Sequence, residues 1–229
     1  MKVYPITGFS DPFSSMTHLF SAPIFLIIGI VALWKLRGNR TRTVSLFIFI
    51  FAVVFLLSMS GVFHLLSPGT NSRFVLQILD HAAIFILIAA TFTPTHVLLF
   101  KGFIRWGILL IVWCTAFAGI TLKSIYFEDF PEIISLALYL CMGWLGAITG
   151  YKVHKRMGLK AIAPLVYGAI AYTLGAILEF SRFPVLITGV IGPHELFHVL
   201  VLIGISFHWQ FVYRMARGHK QSEIDRISS

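Results

Sequence analysis

The chain of 229 residues is strongly apolar: 58% of its residues are hydrophobic and only 12% are charged, and its mean hydropathy is +0.88. Soluble domains carry about 25% charged residues, so this composition excludes an ordinary water-soluble globule. The formal net charge is +9. Most basic residues lie in short segments between apolar runs, so the excess indicates membrane topology and no nucleic-acid partner is expected.

Apolar runs of about 20 residues recur along the chain, and each is long enough to cross a hydrocarbon core of about 30 Å. The residue alternation of a lipid-facing β-strand is missing from them, so helices are expected. The sequence therefore predicts an all-α integral membrane protein, a seven-transmembrane helix bundle that forms one domain over residues 1–229. The predicted spans cover about 15–34, 44–66, 74–100, 104–123, 133–151, 161–180 and 194–213.

Polar residues interrupt the first three spans near one end of each. The first span holds His18 near its start, and a basic segment from Lys35 to Arg42 follows it. The second span ends in Ser60-Gly61-Val62-Phe63-His64. A Ser67-Pro68-Gly69 turn then returns the chain as an antiparallel neighbour. The third span carries Asp80 near its beginning.

The later connections alternate in charge. A Lys101/Arg105 turn precedes the fourth span, an acidic segment over 126–132 follows it, and a basic segment over 152–160 follows the fifth. Basic residues thus concentrate on the side that includes the C-terminus. The positive-inside rule predicts a multi-pass protein of the cell membrane, a bacterial inner membrane, with the C-terminus in the cytoplasm and the N-terminus outside.

Five polar side chains are expected at similar depth near one membrane face. Odd spans begin, and even spans finish, on the same face, which brings His64, Asp80 and His194 to that face. His194 and His198 are four residues apart, so their imidazoles share one helix face, and Ser60 relates to His64 in the same way. Such groups are costly to desolvate in a membrane unless something binds them.

Three imidazoles can bind zinc and leave a fourth position open, which is typical of catalytic rather than structural zinc. Zinc makes a bound water acidic near neutral pH. Asp80 could orient that water and accept its proton, and Ser60 could steady a ligand or donate to a developing oxyanion. The sequence therefore predicts His64, His194 and His198 as metal ligands, and Asp80 and Ser60 as catalytic residues.

Each of these residues alone also has an ordinary structural interpretation. His64 could be an interfacial histidine and Asp80 a carboxylate in helix packing, but their coincidence with the i, i+4 histidine pair favours a metal. The remaining histidines are expected to have no role in the site. His18, His154 and His219 are interpreted as terminal or loop residues, His81 as packing away from Asp80, and His96 and His208 as out of reach.

The segment His194-Glu195-Leu196-Phe197-His198 also matches the His-Glu-x-x-His pattern of zinc proteases, in which the glutamate is the base. A protease would need a third ligand and room for a peptide strand at a membrane boundary. Glu195 could equally be a solvated residue in the first turn, favoured by the helix dipole. An intramembrane metalloprotease is therefore the less favoured alternative.

The chain resembles the haemolysin III branch of the progestin and adipoQ receptor family, which includes adiponectin receptors and is related to alkaline ceramidases. The resemblance is densest over residues 60–64, from Asp80 through Thr93-Pro94, and over residues 194–201. It implies a seven-helix fold and a zinc ion held by the three histidines, with Asp80 contacting the zinc-bound water and Ser60 nearby. It further implies hydrolysis of a lipid amide, in which Asp80 moves the proton to the amine.

Two features depart from the receptor members of that family. They carry glutamine where Glu195 stands, so this glutamate is not expected to be the family's base. They also place the zinc near the cytoplasmic leaflet, whereas the loop charges here place it on the outer side. The favoured interpretation is a zinc-dependent hydrolase acting on membrane lipids. The alternative is a lipid-binding receptor or cytolytic protein in which the zinc is structural.

Overall fold

A computed structural model describes residues 4–227 of the protein, with side chains described as far as residue 221. Residues 1–3 and 228–229 of the predicted domain lie outside the described range. Within that range the chain forms eight α-helices: α1 (Pro12–Lys35), α2 (Arg40–Leu65), α3 (Asn71–Leu99), α4 (Gly102–Ile125), α5 (Glu132–Trp144), α6 (Gly146–Met157), α7 (Leu159–Ser181) and α8 (Pro193–Ile227).

These helices provide seven segments that are long and apolar enough to cross a membrane. The predicted fold class, a seven-helix membrane bundle, is thereby confirmed. In five of the spans, the predicted ends lie within about four residues of the observed helix ends, since the length of an apolar run sets the crossing.

Two elements differ from the prediction. The fifth span extends over Glu132–Met157 and divides into α5 and α6 at Leu145, whose backbone dihedrals remain helical. The last helix continues to Ile227, beyond the end predicted for the seventh span at residue 213. Val212, Met215 and Ala216 are buried, and this packing extends the helix beyond the apolar run that the sequence shows.

The connections are short, and local chemistry explains them. Gly69 has φ +80° in the predicted turn after α2, a conformation that costs glycine little. The Thr70 hydroxyl then accepts a hydrogen bond from the Arg73 N–H and caps α3. Gly158, also with φ +80°, is the single residue between α6 and α7. Neighbouring spans are therefore held antiparallel.

The main core lies where α2, α3 and α8 meet. α8 packs against α7, α1, α3 and α2, and α3 packs against α2, α4, α5 and α8. Phe49 and Leu57 of α2 and Ile205 of α8 are fully buried there. Large apolar side chains such as Phe20 and Leu110 are exposed on the outside, as expected for surfaces that face lipid.

Candidate metal centre

The structure brings three histidines from two distant segments together. His64 lies in the last turn of α2, and His194 and His198 lie one turn apart at the start of α8. The Nε2 atom of His194 is 3.1 Å from Nε2 of His64 and 3.2 Å from Nε2 of His198. One ligand atom from each residue lies within 4.8 Å of the others, so the trihistidine cluster could hold a metal ion.

Two of the three imidazoles have a carboxylate close to Nδ1, the ring nitrogen that faces away from the cluster. Nδ1 of His64 is 2.9 Å from Oδ2 of Asp11, and since a carboxylate only accepts, Nδ1 carries the proton. Nδ1 of His194 is 3.3 Å from Oε2 of Glu179, a close polar contact without the alignment of a hydrogen bond. A carboxylate behind a histidine orients the ring and strengthens its other nitrogen as a ligand.

The nitrogen positions suit a tetrahedral metal. With Nδ1 protonated, His64 presents a lone pair at Nε2, and a second lone pair at 3.1 Å would repel it unless a cation lay between them. Zn–N distances of about 2.0–2.1 Å at tetrahedral angles place ligand nitrogens about 3.3 Å apart. The two observed separations are close to that spacing. Three imidazoles also suit other first-row metals.

Asp11 is itself held in place from the other side. Arg73 Nη2 donates to Asp11 Oδ2 at 2.7 Å, and Arg73 Nη1 bonds the carbonyl oxygen of Leu66. Burial raises the pKa of Asp11, but the hydrogen bonds and charges of His64 and Arg73 outweigh burial and lower this pKa to about 2. The carboxylate is therefore ionised at neutral pH, and its orientation is shared between an arginine and a histidine.

Asp80 and Ser60 lie in contact at the edge of the cluster. The Ser60 hydroxyl and the His194 ring are both close enough to the Asp80 carboxylate to interact with its charge. Ser60 is buried, whereas Asp80 is half-buried because it faces a cavity. His194 and His198 line the same cavity.

The cavity is large enough for part of a lipid. Its volume is about 280 Å³, its walls are mostly apolar, and it extends from Asp80 to Phe92 along α3 and from His194 to His208 along α8. At 1.5 Å rise per residue this is about 20 Å of depth. The polar end thus carries the histidines and Asp80, and the remainder is suited to a hydrocarbon chain.

The structure contradicts one of the two interpretations that were considered for Glu195. It is not a solvated residue, since only 2% of it is exposed. Its Oε2 accepts from the Gly192 N–H at 2.9 Å and its Oε1 from the Ser14 hydroxyl at 3.4 Å, so it caps the start of α8 and joins α1 to it. Both oxygens have structural partners, which argues against the protease interpretation.

Three histidines that were expected to have no role in the site lie against the cluster or line the cavity. His18 is a buried residue of α1 whose ring stacks on His198 at 4.0 Å, where a terminal residue was expected. His81 lines the cavity, whereas its ring was expected to pack elsewhere. His208 lines the far end of the cavity, about 20 Å from His194 along α8, and is out of reach of the cluster as expected. Rotation of each helix about its axis places these side chains, and a single sequence does not give that rotation.

Asp11 and Glu179 were absent from the predicted site, although a signal for them existed. Asp11 precedes an odd span and Glu179 lies near the finish of an even one. The crossing count that brought His64, Asp80 and His194 to one face applies to both residues equally. The count gives the depth of Asp11 and Glu179 in the membrane. The packing of α1 and α7 beside the histidines then brings the two carboxylates to the cluster.

Seven apolar spans and a partly buried trihistidine cluster define an integral membrane protein with a candidate metal centre at one end of the bundle. A family model described as Haemolysin-III related matches residues 9–209, and the chain belongs to that family.

Named relatives agree with this membership. The chain is 30% identical over 196 residues to a Bacillus subtilis (strain 168) protein named Hemolysin-3 homolog, covering 83% of this chain and 87% of that one. It is 28% identical to Hemolysin-3 of Bacillus cereus over 83% of this chain and 84% of the relative. It is 24% identical to the human Monocyte to macrophage differentiation factor, over 92% and 88% respectively.

Proposed function

We propose that the protein is a zinc-dependent, membrane-embedded hydrolase that cleaves an amide bond of a lipid. The observation that carries this proposal is the position of the trihistidine cluster at the polar end of an apolar cavity of about 280 Å³ that also exposes Asp80. A metal at the head of a lipid-sized cavity, with a carboxylate beside it, is an arrangement suited to hydrolysis.

His64, His194 and His198 would hold the zinc ion. When bound, zinc supplies Lewis acidity that polarises a carbonyl oxygen and lowers the pKa of water. Asp11 and Glu179 orient two of the ligand rings from behind. Three protein ligands leave room for substrate at the cavity side of the cluster.

Asp80 would act as the proton carrier of the reaction. It accepts a proton from the attacking water and delivers it to the amide nitrogen as the carbon–nitrogen bond breaks, which yields a carboxylic acid and an amine. Ser60 lines the cavity beside Asp80 and interacts with its carboxylate, so its hydroxyl would hold the Asp80 side chain in place. Ser60 acts here as a positioning residue.

A carboxylate-to-amide exchange at Asp80 tests the chemistry. Asp80→Asn is expected to retain stoichiometric zinc and to lose amide cleavage by about 10²-fold or more, because general acid–base catalysis contributes about that much. Zinc is measured by elemental analysis and cleavage by release of free fatty acid from a panel of N-acyl lipids. Glu195→Gln is the matched control: it makes the same chemical change at a buried capping residue, and both activity and zinc should persist.

A lipid-binding receptor or cytolytic protein with a structural zinc is the alternative, favoured by the names of the two Bacillus relatives and by the apolar cavity. In that case wild type and Asp80→Asn would release fatty acid at the same background rate, and lipid would co-purify uncleaved. Lysis of red cells by the wild type, undiminished in Asp80→Asn, would favour the cytolytic form. Protein purified without any bound metal would contradict both.

A further inference from the structure

A buried ammonium group lines the same cavity as the trihistidine cluster. Lys123 lies in the last turn of α4 and is only 7% exposed. Its Nζ donates to the Ser135 hydroxyl at 3.0 Å and stands 5.2 Å and 5.3 Å from the ring centres of Phe127 and Phe130. An ionisable side chain buried in a membrane protein is costly, and its position usually marks a functional pathway or site.

Lys123 differs from the other described cations at this end of the bundle. Arg73 pairs with Asp11 at 2.7 Å, and Arg182 pairs with Glu132 at 2.7 Å and with Glu179 at 2.5 Å. Among the residues that the structure describes, Lys123 has no carboxylate within the 4.0 Å of an ion pair. The groups in direct contact with its ammonium are therefore a hydroxyl and two aromatic rings.

Glu132 also lines the cavity and acts electrostatically on Lys123, but its Oε1 is engaged by Arg182. An ammonium group has three donors, and Ser135 uses one of them. Two donors remain for a ligand in the cavity. The aromatic rings exclude water from the ammonium, and a charge–charge contact is stronger in such surroundings than in bulk water.

We propose that Lys123 and Ser135 form a subsite for the phosphate of a lipid headgroup, so that the lipid taken by this cavity carries both an amide-linked acyl chain and a phosphate. The amide part of this assignment rests on the proposed function. Lysine binds phosphate as a point charge, and phosphate is the common anion at headgroup depth in membranes. A neutral headgroup would leave the buried ammonium unpaired, which makes the subsite selective.

The test compares two lipids that differ only in the phosphate. Affinities are measured in maltoside micelles for a fluorescent N-acyl sphingoid lipid and for its 1-phosphate. The wild type is expected to prefer the phosphorylated lipid, and Lys123→Met to lose that preference by about tenfold, equivalent to about 1.4 kcal/mol. The affinity of Lys123→Met for the unphosphorylated lipid should stay unchanged. Lys123→Arg should keep most of the preference, and Lys160→Met, at an exposed lysine near the opposite end of the bundle, should keep all of it.

Several results would overturn the assignment: no preference in the wild type, a full preference in Lys123→Met, or an equal loss for both lipids, which would make Lys123 part of the packing. Inorganic phosphate serves as the second probe. Thermal stabilisation by phosphate alone, with the same dependence on Lys123, would assign the subsite to a soluble anion and overturn the lipid.

Binding and cleavage are separate measurements, so the two proposals fail separately. A preference that depends on Lys123 in a protein that cleaves no amide would remove the hydrolase and leave the subsite. Cleavage with equal affinity for the two lipids would remove the subsite and leave the hydrolase.

Discussion

A residue outside the helices orients one ligand of this cluster. Asp11 stands before the first helix, 53 positions from His64 in the chain, yet its carboxylate bonds the His64 ring at 2.9 Å. The same oxygen accepts from Arg73 of α3. Three elements therefore converge on the orientation of one imidazole.

Removal of the Asp11 carboxylate should weaken the metal site. Asp11→Ala is expected to lower zinc affinity by about 10- to 100-fold, the usual effect of losing the partner of a ligating histidine. Asp11→Asn keeps a hydrogen-bond acceptor and should lose less. The measurement is competition with a zinc chelator, together with the visible absorption of a cobalt-substituted protein, which reports coordination geometry.

Asp129→Ala is the control, since Asp129 is an exposed carboxylate of the 126–131 connection and touches none of the three histidines. An Asp11→Ala protein that binds zinc as tightly as wild type would show that Asp11 only anchors Arg73 and the start of α1.

For single residues, the sequence predicted the depth of a side chain in the membrane better than the direction in which the side chain points. The crossing count placed His64, Asp80 and His194 at one face, and the structure brings them to one end of the bundle. The count also applied to Lys123, but nothing in its neighbours predicted an ammonium packed between Phe127 and Phe130. Such contacts depend on how α4 and the following connection pack, which no local pattern encodes.

Among the elements, α1 and α2 approach each other closely beside the candidate site. A Cβ at Gly61 would lie 2.7 Å from the Leu19 side chain and 3.0 Å from the Leu19 backbone nitrogen. The Ser15 hydroxyl donates to the Gly61 carbonyl at 2.8 Å across the same contact. Only a residue without a side chain permits this separation.

Gly61→Ala should push α1 away from α2, because a backbone nitrogen cannot yield as a side chain can. We expect a loss of about 1–3 kcal/mol in stability from overpacking, seen as a lower thermal midpoint in detergent, and a lower zinc content, since His18 and His64 lie in the flanking turns. Gly150→Ala is the matched control: a Cβ there meets nothing within 4 Å, so stability should stay equal or rise by about 0.5–1 kcal/mol. Equal midpoints for the two variants would contradict the close approach.

The helices themselves were largely predictable, because a run of apolar residues has few other structures available in a membrane. The break at Leu145 was not. Gly143 and Gly146 flank it, but glycine also occurs freely within membrane helices, so their presence does not predict an interruption. The helical tail beyond Tyr213 was missed because tertiary packing, not composition, supports it.

For the whole molecule, an odd number of spans places the two ends on opposite sides, and the loop charges predict which side is which. The prediction is tested with Cys114 and Cys141 replaced by serine and one new cysteine at a time. In intact cells a membrane-impermeant maleimide should label Glu128→Cys and should not label Lys160→Cys; both positions are exposed. Both should react after permeabilisation. The reverse pattern would place the candidate metal centre at the cytoplasmic leaflet.

The interruption of the fifth span at Leu145 has a consequence for exchange with the surroundings. Of the helices that line the cavity, α5 has the fewest buried residues, Ser135 and Met142, so its displacement would break the fewest packing contacts with the other helices. Movement of α5 about Leu145 would give molecules a route into the cavity in the plane of the leaflet. Turnover would then follow the acyl-chain order of the bilayer, faster in a fluid membrane and slower in a gel, with little dependence on the viscosity of the water outside.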